Sequence, residues 1–226
     1  ACSSVSQIGF ILVGIGMSVL LIDENAMAIR GALMHMINHS LIKLCLFMAA
    51  GVVFMNVHKL NLNDIRGFGR KKPLLTYIFL MGALGIGGMP FFNGYISKTL
   101  IHESIVEYIE LIHESKVVSM LSAHAMKSIE WIFLISGGLT VAYMLKLFIC
   151  IFVEKNEDDN VQASFDSLRG KYMSVPSAIA LTLSATVLPV LGVMPGMTLA
   201  KMCEMSKDFL HSPNMHAIKW FAFNNL

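Results

Sequence analysis

Charge is scarce in this sequence. Asp, Glu, Lys and Arg make up 14% of its 226 residues against 55% hydrophobic ones, and the mean hydropathy is +0.66. That balance excludes an ordinary soluble domain and places the chain among polytopic membrane proteins. A net charge of +2, with no basic run interleaved with exposed aromatics, sets nucleic acid aside as a partner. The four cysteines, Cys2, Cys45, Cys150 and Cys203, have no CxxC spacing, and two lie in apolar runs. They read as small buried hydrophobes, not as a disulfide framework or a thiolate metal site. P-loop, Rossmann glycine pattern, Ser/His/Asp set and HExxH are all missing, so no cofactor and no active site for redox chemistry are expected within the chain. An initiator methionine, a basic n-region and a cleavage pattern are missing as well, and the expectation is a segment that begins inside a larger protein.

What is present is a row of long apolar stretches. Spans are expected at 3–22, 26–56, 73–100, 129–153 and 174–195. The fold class is therefore all-α membrane protein with about five transmembrane helices, one discontinuous, plus a surface helix. The domain reading is 1–195 for the membrane domain and 196–226 for an amphipathic or interfacial tail. His58 to Lys72 is a short basic loop, with Lys59, Arg66, Arg70, Lys71 and Lys72, and belongs on the cytoplasmic side. The acidic turn at 23–25 then lies outside. Residues 102–127 carry Glu103, Glu107, Glu110 and Glu114 three or four apart and read as a surface helix, with His102, His113 and His124 exposed. EKNEDDN at 154–160 reads as a solvated loop, without the glycine or terminal Glu of a calcium loop.

Two stretches carry chemistry. In RGALMHMINHSLIKLCLFMAAG, residues four apart sit about 40° apart around a helix. His35, His39 and Lys43 therefore form one stripe, with Asn38 beside it. A lysine in mid-membrane costs about 2.5–3.5 kcal/mol on insertion scales, so it belongs against protein or water, and an ion path is the first hypothesis. The plainer reading is a polar stripe that only joins helices. His35 and His39 have zinc-like spacing but no third ligand nearby, and no metal site is expected. The second stretch, GALGIGGMPFFNGYISK, places Gly87, Gly88, Pro90 and Asn93 where a helix should continue, followed by Lys98. Proline removes a backbone bond and clashes with the preceding turn. Non-helical backbone at this depth is tolerated only against protein or water, and broken helices of this kind hold ion sites in transporters.

Taken in order, SSVSQIGFILVGIG, HMINHSLIKLCLFMAAGVV, DIRGFGRKKPL and GALGIGGMPFFNGYISK resemble the antiporter-like membrane subunits of respiratory complex I. That family also includes Mrp cation/proton antiporter subunits and the membrane arms of group 4 energy-converting hydrogenases. The resemblance covers about residues 1–153. It implies two inverted five-helix repeats, each with a broken helix and a lysine, and protons crossing along a central polar axis. On that resemblance His39, Lys43 and Lys98 match the family's relay residues, and His35 is a further candidate. The chain departs from the pattern by lacking the first repeat, the helix that opens the second, and the spans that follow. It is thus expected to be a C-terminal part of such a subunit. The implied function is a non-catalytic, proton-translocating subunit of a complex I-like assembly (NADH dehydrogenase or energy-converting hydrogenase), with redox chemistry in partner subunits. The alternatives are an Mrp-type Na⁺/H⁺ antiporter subunit and a structural membrane module. The implied partners are other membrane and redox subunits, the lipid bilayer, and protons or Na⁺. The implied location is a prokaryotic cytoplasmic membrane, crossed several times.

Overall fold

A computed structural model describes residues 2–115, 120–196 and 201. The expected tail at 196–226 therefore lies outside the described residues, Gly196 and Lys201 apart. The described residues form helices and connecting turns: α1 (Cys2–Leu20), α2 (Ala26–Val57), α3 (Leu62–Ile65), α4 (Pro73–Gly87), α5 (Asn93–Ser115), α6 (Met120–Phe148), α7 (Asp159–Ser167) and α8 (Val175–Val193). Among them four are long and apolar enough to cross a membrane, within 3–20, 26–57, 123–153 and 175–193. The fifth crossing is made in two pieces. α4 is apolar but has only 15 residues, about 22 Å at 1.5 Å each, short of a hydrocarbon core of about 30 Å. Its crossing is completed by the break at 88–92 and the first turns of α5.

α2 is the central post. It has 32 residues, and α1, α4, α5 and α8 all pack on it. One apolar cluster joins α2, α4 and α8 through Ile42, Leu46, Ile78 and Leu188, and a second joins α1, α5 and α6 through Phe10, Ile101, Ile105 and Phe133. Small residues let α1, α2 and α5 meet: a Cβ at Gly31 would stand 3.0 Å from the Ile101 backbone nitrogen, and one at Gly14 3.0 Å from Ala32 Cβ. This is the close approach that glycine permits between membrane helices.

Two expectations need correction. Residues 102–115 do not belong to a separate surface helix. They continue α5 without interruption from Asn93, and 120–127 already belong to α6. Nor is the acidic stretch after α6 only a solvated loop, since it leads into α7, whose first turn is capped by the Asp158 side chain accepting from the Asn160 N–H.

The basic loop and this acidic segment meet at one end of the bundle. Arg66 pairs with Glu157 at 2.8 Å and Glu154 at 3.4 Å, and Lys71 pairs with Asp166 at 2.6 Å. The last turn of α6 widens into a π turn at Ile149–Val153. The N–H groups of Gly67 and Gly69 donate to the carbonyls of Cys150 and Ile151 there, at 2.9 and 2.8 Å. Lys72 is buried in the same junction, its Nζ donating to the carbonyls of Phe68 (2.6 Å) and Phe165 (2.9 Å) and lying 4.0 Å from the Phe68 ring centroid. Loss of water pushes its pKa down to about 8, with Asp166 pulling the other way.

That shift predicts a signature in stability. Below about pH 8 the lysine is charged in both the folded and unfolded chain, and its burial penalty is present in full. Between about 8 and 10.5 the unfolded chain retains a proton that the folded one has released, so stability rises with pH through this window. Thermal melting of the purified protein across the window should show this rise for the native sequence, and a smaller rise for Lys72→Met.

Candidate functional site

The break is built from ordinary helix-ending rules used in mid-membrane. Gly88 adopts φ +76°, its N–H donates to the Gly85 carbonyl, and the Met89 N–H donates to the Leu84 carbonyl, both at 3.1 Å. Those two bonds make a Schellman ending, and Pro90 follows it. α5 restarts at Asn93. Space around the restart is minimal, since a Cβ on Gly94 would lie 2.0 Å from the Gly85 carbonyl oxygen. From the other side α8 presses on the turn: a Cβ on Gly192 would lie 2.3 Å from the carbonyl oxygen of Phe91.

α2 supplies the polar groups that hold this turn. The Asn38 amide donates to the Asn93 carbonyl at 2.7 Å and to Ser97 Oγ at 3.2 Å, and the Asn93 amide returns a bond to Asn38 Oδ1 at 3.1 Å. All three residues are fully buried. One turn earlier on α2, His35 is buried between Ser97 Oγ (2.9 Å from Nδ1) and Gln7 Oε1 (3.1 Å from Nε2). A carbonyl oxygen facing Nε2 makes that nitrogen the donor and leaves Nδ1 to accept the Ser97 hydroxyl proton. The Ser97 hydroxyl has a second acceptor in the Gly94 carbonyl at 3.3 Å, so its proton has two places to go.

Lys98 lies one position after Ser97 and 9% exposed. Its Nζ donates to the Ile86 carbonyl at 2.8 Å and stands 4.9 Å from the Phe10 ring centroid. Ile86 is in the last turn of α4, where carbonyls lack helical partners and the helix dipole is negative. The ammonium thus closes the first half-helix, with an aromatic face as its second support. A cleft of about 540 Å³ opens beside it, bounded by the break, α5, α6 and Phe10.

His39 and Lys43 continue the stripe of α2 toward the basic end. The His35 and His39 rings are parallel within 8°, their centroids 6.4 Å apart. Both nitrogens of His35 are engaged, whereas Nε2 of His39 is buried without a hydrogen-bond partner. Lys43 donates to Ser3 Oγ of α1 and lies 5.5 Å from the Phe47 centroid. The structure therefore brings His35, Asn38, Asn93 and Lys98 together around the break, and sets His39 and Lys43 one and two turns along the same helix. Gln7, Ser97 and Phe10 were not singled out from the sequence. Gln7 carried a signal, as an amide at the entry to the apolar run at 8–13. Among the described residues no three His, Cys, Asp or Glu side chains converge as a metal site would require.

Residues 1–122 match the family model described as NADH:quinone oxidoreductase/Mrp antiporter, TM. The chain belongs to that family. Similar proteins include those named "Putative antiporter subunit mnhA2" from Staphylococcus aureus strains USA300 / TCH1516, NCTC 8325 / PS 47 and JH9. Each is 27% identical over 203 residues, an overlap covering 86% of this chain and 24% of the relative. The chain thus spans about a quarter of the length of these relatives. Membership makes it a multi-pass membrane protein of the antiporter-like type, consistent with the helices found.

The amide lock has a measurable consequence. Asn38→Ala strands the buried Asn93 side chain, and an unsatisfied buried polar group costs about 1–3 kcal/mol. Gly94→Ala forces the two half-helices apart and should cost a similar amount, since overpacking runs at about 1–3 kcal/mol. Both variants should melt earlier than the parent, and Asn93→Ala added to Asn38→Ala should cost much less than the two single changes summed.

Proposed function

We propose that this chain conducts protons across the membrane, as part of a proton-translocating subunit in a complex I-like assembly. The observation that carries the reading is the line Lys43, His39, His35 and Lys98, set in an apolar bundle and ending at a broken helix. Each group on the line can release and regain a proton, and none is a carboxylate. Two ammonium groups repel a metal cation, whereas a proton is carried by the groups themselves. Neutral His35 holds a hydrogen on Nε2 and an acceptor at Nδ1, so protonation at one nitrogen and release at the other moves one proton and returns a neutral ring. Lys98 alternates between an ammonium bound to the Ile86 carbonyl and an amine that leaves that carbonyl to water in the cleft.

Redox chemistry belongs, on this reading, to partner subunits, and the chain itself holds no cofactor. The basic loop with its paired α7 faces the cytoplasm, in accord with the positive-inside rule, and the membrane is the cytoplasmic membrane of a prokaryote. A second reading, Na⁺/H⁺ exchange in an Mrp-type assembly, draws support from relatives named as antiporter subunits and from a family that includes Mrp antiporters.

In the native complex, reconstituted in vesicles, Lys98→Met should assemble but lower proton transport about 100-fold, the scale of a positioned acid–base group. Lys98→Arg should fail likewise, because a guanidinium stays charged. Wild-type transport by both variants, with normal assembly, would leave a structural module as the better account. Transport that depends on a Na⁺ gradient would favour the Mrp-type reading.

A further inference from the structure

α5 carries a histidine one turn beyond Lys98. His102, expected on an exposed helix face, is instead turned toward α6, its side chain 27% exposed and its Nε2 3.4 Å from Glu130 Oε1. Lys127 reaches the other oxygen of Glu130 at 2.6 Å, with its own side chain 56% exposed. A carboxylate on an 8%-exposed residue is thus bracketed by an imidazole on the inner side and an ammonium on the solvent side. Lys98, His102 and Glu103 line the one cleft already described, and its far wall is Phe133, Gly137 and Gly138 of α6. A Cβ at Gly137 or Gly138 would meet nothing within 4 Å. The opening in front of Lys98 therefore exists because α6 carries two residues without side chains there.

Resting on the proton-path reading above, we infer that His102 and Glu130 form the outlet by which a proton leaves Lys98 for the acidic face of the bundle. Lys98 Nζ gives up one proton through cleft water to the ring nitrogen of His102 that does not face Glu130. The ring then releases the proton on Nε2 to the Glu130 carboxylate, which passes it to bulk water beside Lys127. One proton moves: the ring and the carboxylate return to their starting charges, the ring exchanges tautomers before the next transfer, and Lys98 remains an amine until the relay on α2 reprotonates it. The 3.4 Å separation is an ion-pair distance, too long for a good hydrogen bond, and a small ring rotation closes it. The charged groups facing His102 are Lys98 and Glu103 on its own helix and Glu130 and Lys127 on α6, while α1 presents the uncharged Phe10. Beyond the cleft Glu107 and Glu110 continue the acidic face, in the direction that draws a proton outward.

The test compares four variants of the protein in its native membrane complex, reconstituted in vesicles: His102→Gln, Glu130→Gln, Gly137→Leu and Lys98→Met. The measurements are assembly on native gels and proton transport as pH is varied on the acidic side alone. The expected result is normal assembly, transport reduced about 100-fold in His102→Gln and Gly137→Leu, and a flattened dependence on acidic-side pH in Glu130→Gln. Gly137→Leu fills the cleft without touching any ionisable group, so a purely structural His102–Glu130 clamp would leave it active. If His102→Gln prevents assembly, Gly137→Leu decides the matter alone. Wild-type transport in Gly137→Leu, or in an assembled His102→Gln, alongside loss in Lys98→Met, overturns the outlet and leaves the proton path standing. Wild-type transport in Lys98→Met as well overturns both.

Discussion

The reciprocal amide pair between Asn38 and Asn93 is the contact on which the rest of the site depends. A helix that stops in mid-membrane exposes backbone groups that lipid cannot satisfy. Here the first half closes on itself through the Gly88 turn, and its leftover carbonyl at Ile86 takes the Lys98 ammonium. The second half has its start fixed by Asn38, which also reaches Ser97 and so sets the hydroxyl that His35 uses. One asparagine on the central post thereby fixes the backbone of the break and the orientation of the imidazole beside it. Stability and chemistry are drawn from the same few bonds.

Lys98 has a double part for the same reason. As an ammonium it caps the C-terminal end of α4 through the Ile86 carbonyl, and an amine in its place would be a weaker donor to that carbonyl. A change in its protonation is therefore also a change in how the half-helix ends. The Phe10 ring softens this by supporting the charged form with a weak, non-directional attraction. Lys43 also has an aromatic ring near it, Phe47 at 5.5 Å, but its hydrogen-bond partner is the hydroxyl of Ser3. The two lysines on the line are thus held by different chemistry, one tied to backbone and one to a side chain.

Much of this was legible from residue order, because it followed from local rules. Gly-Gly-Met-Pro announces a helix end wherever it occurs, and four-residue spacing puts His35, His39 and Lys43 on one stripe in any helix. The long apolar runs set the number of crossings. What composition could not reveal was where the charged stretch after Lys98 would go. Glu103, Glu107 and Glu110 look like the solvated side of a separate helix, yet Ile101, Ile105, Ile109 and Ile112 on the opposite side keep the chain in one continuous α5 against α1 and α6. The exposure of His102 was misjudged for the same reason, since its partner Glu130 lies on the next helix and no local pattern links the two. Ser97 was passed over because a single small polar residue has no periodicity to mark it, and Gln7 because its amide follows a serine-rich start.

The π turn at the end of α6 joins distant parts of the molecule. The turn closes with the Glu154 N–H on the Ile149 carbonyl, which leaves the last-turn carbonyls of Cys150 and Ile151 for Gly67 and Gly69. The loop that leads into α4 is therefore riveted to the foot of α6, while the upper part of α6 forms the wall opposite Lys98. Helices are stiff along their axes. A tilt of α6 that widened the cleft would therefore pull, through the Gly67 and Gly69 bonds, on the loop that enters α4.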